Sequence, residues 1–338
     1  MLKSRFAFFL IAASITLFSG CGGGGGGGGG GASTPPAGLL GIDTSNAPAV
    51  AGTVAGASAS TTNLGPTGPA VIGGVSIDGG ATSTGLVQLA VWQLTEISTL
   101  PPQPANMIGA AMMSGSKACT GGGSFAYQFN DADLNGVLSI RETLSITFNN
   151  CAMTAGGAPG NGGFTVVLNS VTGTPGTGAW SGSITMTFSN MTMSGTSVSG
   201  DMTFKLSSTN SSDIGGVLSG SSISVTNATG KVDTLSGYNF TLGYNKSTTA
   251  YTLDATGTVS RSDLGGTVSF STPSTLAGKF SNRPDNPVSG VFLVTGANNS
   301  KLRMTAIDNS YVKLEVDANG DGTYEFATTK TWAEISAL

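Results

Sequence analysis

Residues 125–148 read FAYQFNDADLNGVLSIRETLSITF, and the alternation of apolar and polar residues in this stretch indicates the type of fold. Aromatic residues alternate with Ala, Gln and Asn over residues 125–130, and large apolar residues alternate with Ser, Thr and Asn over residues 144–149. An apolar residue at every second position is typical of a β-strand with one buried face, whereas a helix repeats about every 3.6 residues. The stretch therefore predicts two antiparallel strands joined by the acidic segment between them.

The acidic segment, residues 131–142, has the spacing of the twelve-residue calcium loop of EF-hand proteins. Such loops bind calcium from positions 1, 3, 5, 7, 9 and 12, with glycine at the turn of position 6 and a bidentate glutamate at position 12. Gly136 occupies position 6. An Asx-rich turn that binds no metal is the alternative. The predicted ligands are Asp131, Asp133, Asn135, the backbone carbonyl of Val137, Ser139 and Glu142.

Two cysteines, Cys119 and Cys151, lie at equal distances along the chain from Asn135, within the acidic loop. A hairpin that turns there places them opposite each other, so the sequence predicts a disulfide between them. A disulfide over this length of chain would stabilise the fold by roughly 3 to 4 kcal/mol in the chain-entropy model. It also implies an oxidising compartment.

The chain from 117 to 338 continues as strand, turn and strand. Alternation recurs over residues 184–188, 238–244 and 251–255, and clusters of Gly, Asn, Ser and Asp separate such runs. The pattern predicts an all-β domain built on a large antiparallel sheet, as an up-and-down barrel, a half-barrel or a sandwich. A solenoid is disfavoured because no fixed repeat period is present. A transmembrane barrel is disfavoured because aromatic residues are too few for two interfacial girdles.

Residues 82–116 are predicted to be a helical segment followed by a Pro-rich linker. Apolar residues recur at helical spacing over residues 84–98, and the helix is expected to end before Pro101. Its polar face lacks Lys and Arg, which are enriched on helices that bind membranes. We therefore expect its apolar face to pack on the β domain.

A second acidic loop, residues 317–325, reads DANGDGTYE. Oxygen-bearing side chains occupy positions 1, 3 and 5 and glycine occupies position 6, but position 12 is Thr328, which has no carboxylate. A plain Asn-Gly or Asp-Gly hairpin turn is the alternative. The candidate calcium ligands here are Asp317, Asn319, Asp321, Thr323 and Glu325.

Residues 1–20 have the features of an export signal, with Lys3 and Arg5 before an apolar run over residues 6–18. The segment that ends at Cys21 resembles the lipobox of bacterial lipoproteins, in which the cysteine is acylated and becomes the first residue of the mature chain. Phe18 stands where leucine is usual. An ordinary signal peptide or a membrane span is the alternative, but the apolar run is shorter than the about 20 residues that a span needs. The resemblance implies a lipid anchor at Cys21.

Residues 21–81 are predicted to be a flexible tether that follows the lipidated cysteine. An unbroken glycine run occupies residues 22–31, and large apolar residues are rare over the rest of the segment. Such a segment has too little apolar surface to offset the entropy lost on ordering.

Composition argues against most catalytic chemistry and against nucleic acid as a partner. The chain has no histidine, which excludes His-dependent triads and histidine-ligated metals. Ser114 and Lys117 satisfy the S-x-x-K spacing, but the accompanying S-D-N and K-T-G elements of serine-lysine enzymes are missing. Once Lys3 and Arg5 are removed, the remaining 12 basic residues stand against 18 acidic ones, so binding to nucleic acid is not expected.

Taken together, the lipobox-like start, the polyglycine run, the cysteine-bracketed D-x-D-x-N-G loop and the final V-D-x-N-G-D-G-x-Y-E segment resemble a family of poorly characterised β-rich lipoproteins of Gram-negative bacteria. The resemblance implies attachment to the outer membrane or cell surface and an unknown ligand. The expected function is a non-enzymatic structural, adhesive or binding role of a calcium-stabilised envelope protein. Polysaccharide, another protein or a lipid is the candidate partner. The alternative is a carrier whose apolar interior holds a lipid or another hydrophobic ligand.

Overall fold

A computed structural model describes residues 38–62, 112–133, 139–152, 156–173, 179–193, 196–210, 212–227, 230–279 and 286–336. The predicted export signal, Cys21, the predicted helix over 84–98 and most of the linker after it lie outside the described residues. Asn135 and Val137 of the first acidic loop lie outside them too.

Fourteen strands and two helices account for most of the described chain. Helix α1 spans Ala47–Thr62 and helix α2 spans Trp332–Ser336, with a short 3-10 turn at Ala297–Asn299. The strands are β1 Met112–Ala118, β2 Ser124–Asn130, β3 Thr143–Cys151, β4 Gly160–Thr172, β5 Trp180–Met193, β6 Thr196–Ser208, β7 Asp213–Thr226, β8 Val232–Asn245, β9 Ala250–Arg261, β10 Gly266–Lys279, β11 Ser289–Thr295, β12 Lys301–Ala306, β13 Tyr311–Asp317 and β14 Phe326–Thr331.

All fourteen strands form one antiparallel sheet in which each strand pairs with the next along the chain. The predicted all-β antiparallel fold is confirmed. The sheet is an open meander, since β1 and β14 are its edges and no pairing between described strands joins them. The β domain begins at Met112, five residues before the predicted boundary, because β1 pairs with β2 along its whole length.

One face of the sheet carries the hydrophobic core, as the alternation in the sequence predicts. Buried side chains from β2 to β13 belong to one continuous cluster. On β2 to β5 the rings of Phe125, Phe148, Phe164 and Phe188 follow one another with centroids 6.1 to 6.3 Å apart. This spacing suits tilted aromatic pairs, which add to the burial of apolar area. We call this surface the inner face.

The long strands are bent by a row of β-bulges that crosses the sheet. Shifts in register occur between all neighbouring strands from β3–β4 to β10–β11 except β7–β8. An extra residue in one strand bends it and increases its twist. Several of the bulges use a positive φ, which Gly and Asn adopt most easily: Asn150, Asn190, Gly200, Gly237 and Gly290. The row curves the inner face around the core.

Asp201 stabilises the bulge between β6 and β7 by hydrogen bonds. Its carboxylate accepts hydrogen bonds from the backbone N–H groups of Ser221 and Ser222, at 3.0 and 3.3 Å, and from the Ser221 hydroxyl. Partial burial acts to raise the pKa of Asp201, but the hydrogen bonds from Ser221 and Ser222 outweigh it and hold the pKa below its usual value. The ionised carboxylate is therefore the form that stabilises the bulge.

We expect Asp201→Asn to lower the free energy of unfolding by about 1 to 2 kcal/mol at pH 7, because a charged acceptor is replaced by a neutral one. A carboxylate with a lowered pKa stabilises the fold above its unfolded pKa of about 3.9, and that stabilisation is lost as the pH falls through the folded value. Urea unfolding of both proteins from pH 7 to pH 3 should therefore show the difference shrinking below about pH 4. A difference that stays constant would contradict this role.

The tether prediction is wrong for residues 38–62, which are part of the fold. Leu40 accepts and donates backbone hydrogen bonds with Ala297 and Thr267, and the Ile42 N–H donates to the buried Ser300 hydroxyl at 2.9 Å. Ile42, Val50 and Val54 join the core cluster. A few valines and alanines are enough to order this segment because they pack on the apolar surface of the sheet. Composition alone indicated that the segment has too little apolar surface to bury.

Helix α1 begins with a capping turn and lies against the sheet. The Asp43 carboxylate accepts from the N–H groups of Ser45 and Asn46, at 2.8 and 3.0 Å, and the Ala47 N–H donates to the Asp43 carbonyl. The helix contacts β8, β9, β12 and α2. The described structure thus has one long helix packed on the sheet, at residues 47–62, while the helix predicted over 84–98 lies outside the described residues.

A polar contact links α1 to the strand beneath it. The Thr53 hydroxyl, buried on the helix, accepts from Arg261 Nη1 at 3.2 Å and donates to the Ala49 carbonyl at 2.9 Å. Arg261 is held in turn by Asp263, with Nε 2.9 Å from Oδ1. We expect Thr53→Val to lower the free energy of unfolding by about 1 kcal/mol. Thr53→Ser keeps the hydroxyl, so its free energy of unfolding should stay near that of wild type. Hydrogen exchange of α1 amides measures the difference, and equal protection in both variants would contradict the contact's role.

The meander places the loops at two opposite ends of the sheet. The distal end carries the β2–β3 loop with the first acidic segment, the β8–β9 turn and α2. The proximal end carries the paired cysteines, the 3-10 turn and the β13–β14 loop with the second acidic segment. The described chain also enters the fold at the proximal end, where Leu39 forms a bridge with Thr267 at the start of β10.

Candidate metal centres

The β2–β3 loop brings three of its predicted ligands together. One carboxylate oxygen from each of Asp131, Asp133 and Glu142 lies within 4.8 Å of the other two. Asp131 is 3% exposed and Glu142 is 1% exposed, while Asp133 is open to solvent. Two negatively charged groups are thus held close together and largely away from water, an arrangement that is costly unless a cation or hydrogen bonds compensate.

Glu142 is oriented by backbone N–H groups from both sides of the loop. Its Oε1 accepts from Ala132 and Asp133, at 2.8 and 3.3 Å, and its Oε2 accepts from Ser139 at 2.6 Å. The turn that returns the chain to β3 is closed by the Glu142 N–H, which donates to the Ser139 carbonyl at 3.1 Å. A carboxylate oxygen has two lone pairs, so Oε1 already accepts two bonds, whereas Oε2 accepts one and keeps a lone pair for a cation.

Strand β4 holds the end of the loop in place. The Arg141 N–H donates to the Leu168 carbonyl at 2.7 Å, and the Leu168 N–H donates to the Glu142 carbonyl at 3.4 Å. Arg141 has a φ of 71°, in the left-handed region that non-glycine residues adopt at a cost. Sequence spacing contained no sign of this support from β4, since it depends on a strand that follows the hairpin.

The carboxylates fit a calcium ion. Calcium binds oxygen at about 2.3 to 2.6 Å, so two oxygens on one ion lie at most about 5 Å apart. The three carboxylate oxygens all lie within 4.8 Å of one another, which satisfies this condition. Asp131, Asp133 and Glu142 would hold the ion, and Ser139, which faces Glu142 through its backbone, lies at the edge of the same loop.

The disulfide between Cys119 and Cys151 is present, as predicted. The Cα atoms lie 5.4 Å apart and the two residues are 32 positions apart in sequence. The bond joins Cys119, which directly follows β1 in the β1–β2 turn, to Cys151 at the end of β3, opposite to the acidic loop. One covalent bond therefore holds one end of the hairpin, and the carboxylate cluster lies at the other.

The second acidic loop also gathers three carboxylates, from Asp317, Asp321 and Glu325, with oxygens within 4.8 Å of one another. Asp317 is fully buried, and its two oxygens accept from the N–H groups of Gly320 and Gly322, at 2.7 and 2.9 Å. Glu325 Oε2 accepts from the Ala318 N–H at 3.2 Å. These bonds define a closed turn with an acidic centre.

The other two predicted ligands of this loop lie beside Asp321. Asn319 Nδ2 donates to Asp321 Oδ2 at 3.0 Å, and the Thr323 N–H donates to Asp321 Oδ1 at 2.7 Å. Hydrogen bonds from the Thr323 N–H and the Asn319 side chain hold the pKa of Asp321 below its usual value. Thr328, at position 12, lies on β14 opposite Leu314, so the loop has no carboxylate at that position.

A charged group on the outer face lies next to the second loop. Arg303 Nε bonds Glu315 Oε2 at 2.8 Å, and Lys313 Nζ lies 2.8 Å from Glu315 Oε1. The hydrogen bond from Arg303, with help from Lys313, lowers the pKa of Glu315 to about 2. The Arg303 guanidinium also lies 4.1 Å over the ring of Tyr324, next to Glu325. This contact ties the end of the acidic loop to β12.

The S-x-x-K pair does not assemble into a catalytic dyad. Ser114 and Lys117 are both on β1, opposite Gln128 and Phe125 of β2. Because side chains alternate along a strand, residues three apart point to opposite faces of the sheet.

Comparison of the chain with protein-family models, with curated proteins and with solved structures gives no match. Within the described part of the chain, neither helix combines the length and apolar character that crossing a membrane requires.

Proposed function

We propose that this protein is an exported, lipid-anchored envelope protein whose open β-sheet is stabilised by calcium at the β2–β3 loop. The observation that carries the proposal is the pair Asp131 and Glu142, two buried carboxylates whose oxygens lie within 4.8 Å of each other and of Asp133. A divalent cation offsets the repulsion and the loss of hydration that such a cluster costs.

Calcium fits this loop better than transition metals or magnesium. All the donor groups are oxygens, which suit hard cations rather than zinc or copper. The twelve-residue spacing agrees with the ligand positions of EF-hand loops, and magnesium prefers sites that leave it several waters. The flanking elements are strands β2 and β3, so no pair of helices is present to open on binding. The role is therefore structural rather than regulatory.

The envelope location is supported by the N-terminal sequence and by the disulfide. The apolar run and Cys21 resemble a lipoprotein signal, and Cys119–Cys151 is the kind of bond that persists outside the cytoplasm. A weaker second calcium site at residues 317–325 belongs to the same proposal, because Asp317, Asp321 and Glu325 meet the same distance condition. The role of the whole is structural, adhesive or binding, without catalysis.

The proposal is tested on protein purified from the membrane fraction of a Gram-negative host. The expected result is covalently bound acyl chains and one or two calcium ions per chain, measured by mass spectrometry. Cys21→Ala should lose the acyl chains and keep the calcium, and Asp131→Asn with Glu142→Gln should bind one calcium ion fewer than wild type and keep the acyl chains. Wild-type protein with neither would contradict the proposal. A stoichiometric hydrophobic molecule in the lipid extract would favour the carrier.

A further inference from the structure

The point at which the N-terminal chain joins the fold is fixed by contacts at the proximal end. The Thr267 N–H donates to the Gly38 carbonyl and the Leu40 N–H donates to the Thr267 carbonyl, each at 2.9 Å. The Ala297 N–H donates to the Leu40 carbonyl at 2.8 Å. Backbone bonds on both sides thus hold residues 38–40 between the start of β10 and the 3-10 turn.

Two glycines leave the space that this chain occupies. A Cβ on Gly266 would lie 2.8 Å from Leu40 N, and a Cβ on Gly296 would lie 2.1 Å from the Leu40 carbonyl oxygen. A side chain at either position would therefore displace residues 38–40. The sheet therefore has a specific site for residues 38–40, which depends on glycine at both positions.

The covalent distance to Cys21 is short compared with the size of the sheet. Residues 22–37 separate Cys21 from Gly38, so about 17 residues limit the reach to about 60 Å when fully extended. A Gly-rich chain of that length has an average end-to-end distance of about 23 Å. Strands β2 and β3, of 7 and 9 residues, place the β2–β3 loop about 23 to 30 Å from the proximal end, and the longest strands, of 14 residues, span at most about 45 Å.

We propose that the proximal end of the sheet faces the lipid bilayer that carries the acylated Cys21, and that the β2–β3 loop is displayed at the distal end. This inference rests on the lipid anchor of the proposed function. The proximal end lies within the average reach of the anchor, whereas the distal end is a further strand length away.

The proximal surface is suited to the polar headgroup region. Leu39 is 61% exposed beside the point of entry and forms an apolar contact point. The loops at the same end carry charges of both signs, including the pair Lys231 and Asp263, whose Nζ and Oδ2 atoms are 3.0 Å apart. Such a mixture favours contact with headgroups over insertion into the hydrocarbon region.

The test uses the full lipidated protein reconstituted in phosphatidylcholine vesicles that contain a headgroup-linked fluorescence quencher. One variant, Ala318→Cys, places a fluorophore on an exposed residue at the proximal end, and a matched variant, Lys246→Cys, places it on the exposed β8–β9 turn at the distal end. We expect the label at residue 318 to be quenched several-fold more than the label at residue 246. Equal quenching, or stronger quenching at residue 246, would overturn the orientation.

Vesicle flotation separates failure of the orientation from failure of the anchor. Labelled protein that carries Cys21→Ala should stay in solution, with neither label quenched by the vesicles. If the chain with Cys21 intact does not float either, the lipid anchor is refuted, and the proposed orientation, which depends on it, is refuted too. If it floats and both labels are quenched alike, only the orientation is refuted.

Discussion

Replacing Cys119 and Cys151 together with alanine is expected to lower the free energy of unfolding by roughly 3 to 4 kcal/mol. The disulfide closes a loop of 32 positions, and without it the unfolded chain regains the entropy that the closure removed. For a domain of this size the loss corresponds to a fall in melting temperature of roughly 10 °C. Thermal unfolding followed by circular dichroism measures it.

Reductant provides the matched control for the disulfide. Wild-type protein melted in dithiothreitol should approach the melting temperature of the double-alanine variant, and the variant should not respond to dithiothreitol. Cys151 is buried, so part of the variant's loss could come from the cavity that alanine leaves. If the melting temperature of the variant lies far below that of reduced wild type, the loss comes from the cavity. If it equals that of oxidised wild type, the expected stabilisation by the disulfide is contradicted.

Glu142→Gln is expected to destabilise the protein in calcium by about 4 to 6 kcal/mol through two separate effects. In EDTA it removes a charged acceptor of three backbone N–H groups and turns an amide N–H₂ toward one of them, at a cost of about 2 to 3 kcal/mol. In calcium it also removes the added stability of the bound ion, about 2.7 kcal/mol at 100 times the dissociation constant. Urea unfolding in each buffer measures the two effects.

Asp133→Asn is the matched control for Glu142→Gln. Asp133 belongs to the same carboxylate cluster but is exposed to solvent. Its substitution should weaken calcium binding and leave the stability in EDTA within about 0.5 kcal/mol of wild type. If Glu142→Gln behaves like Asp133→Asn in EDTA, the three backbone bonds to Glu142 contribute little, and the geometric account of the loop is wrong.

The regular parts of the fold could be predicted from the sequence because side chains alternate between the two faces of a strand, so the buried face shows as an apolar residue at every second position. Alternation around the acidic loop placed Phe125 and Phe148 on the same face, and they pair directly on neighbouring strands. The equal spacing of Cys119 and Cys151 about the loop predicted the disulfide for the same reason. Ligand spacing within the loop also predicted that Asp131, Asp133 and Glu142 come together, as they do, since all three lie close together in the chain.

The features that depend on distant contacts could not be predicted in this way. Residues 47–62 consist mostly of small side chains, so the apolar face of the helix offers little surface, and the packing of Val50 and Val54 on the sheet stabilises it. A local signal was present in Asn46 and Pro48, which are typical of a helix start. The row of bulges likewise depends on glycines and asparagines whose positions matter only once neighbouring strands are paired.

Calcium at the β2–β3 loop is expected to stabilise the fold, and a thermal melt of the protein from Gly22 onward measures this stabilisation. The chain has to include residues 38–62, because they belong to the core. In calcium at 100 times its dissociation constant, the melting temperature should rise by roughly 5 to 10 °C above that in EDTA. The part of the rise that comes from the β2–β3 loop should be absent from the Asp131→Asn and Glu142→Gln double variant, so this variant should rise clearly less than wild type. Identical wild-type melts in calcium and in EDTA would contradict the account.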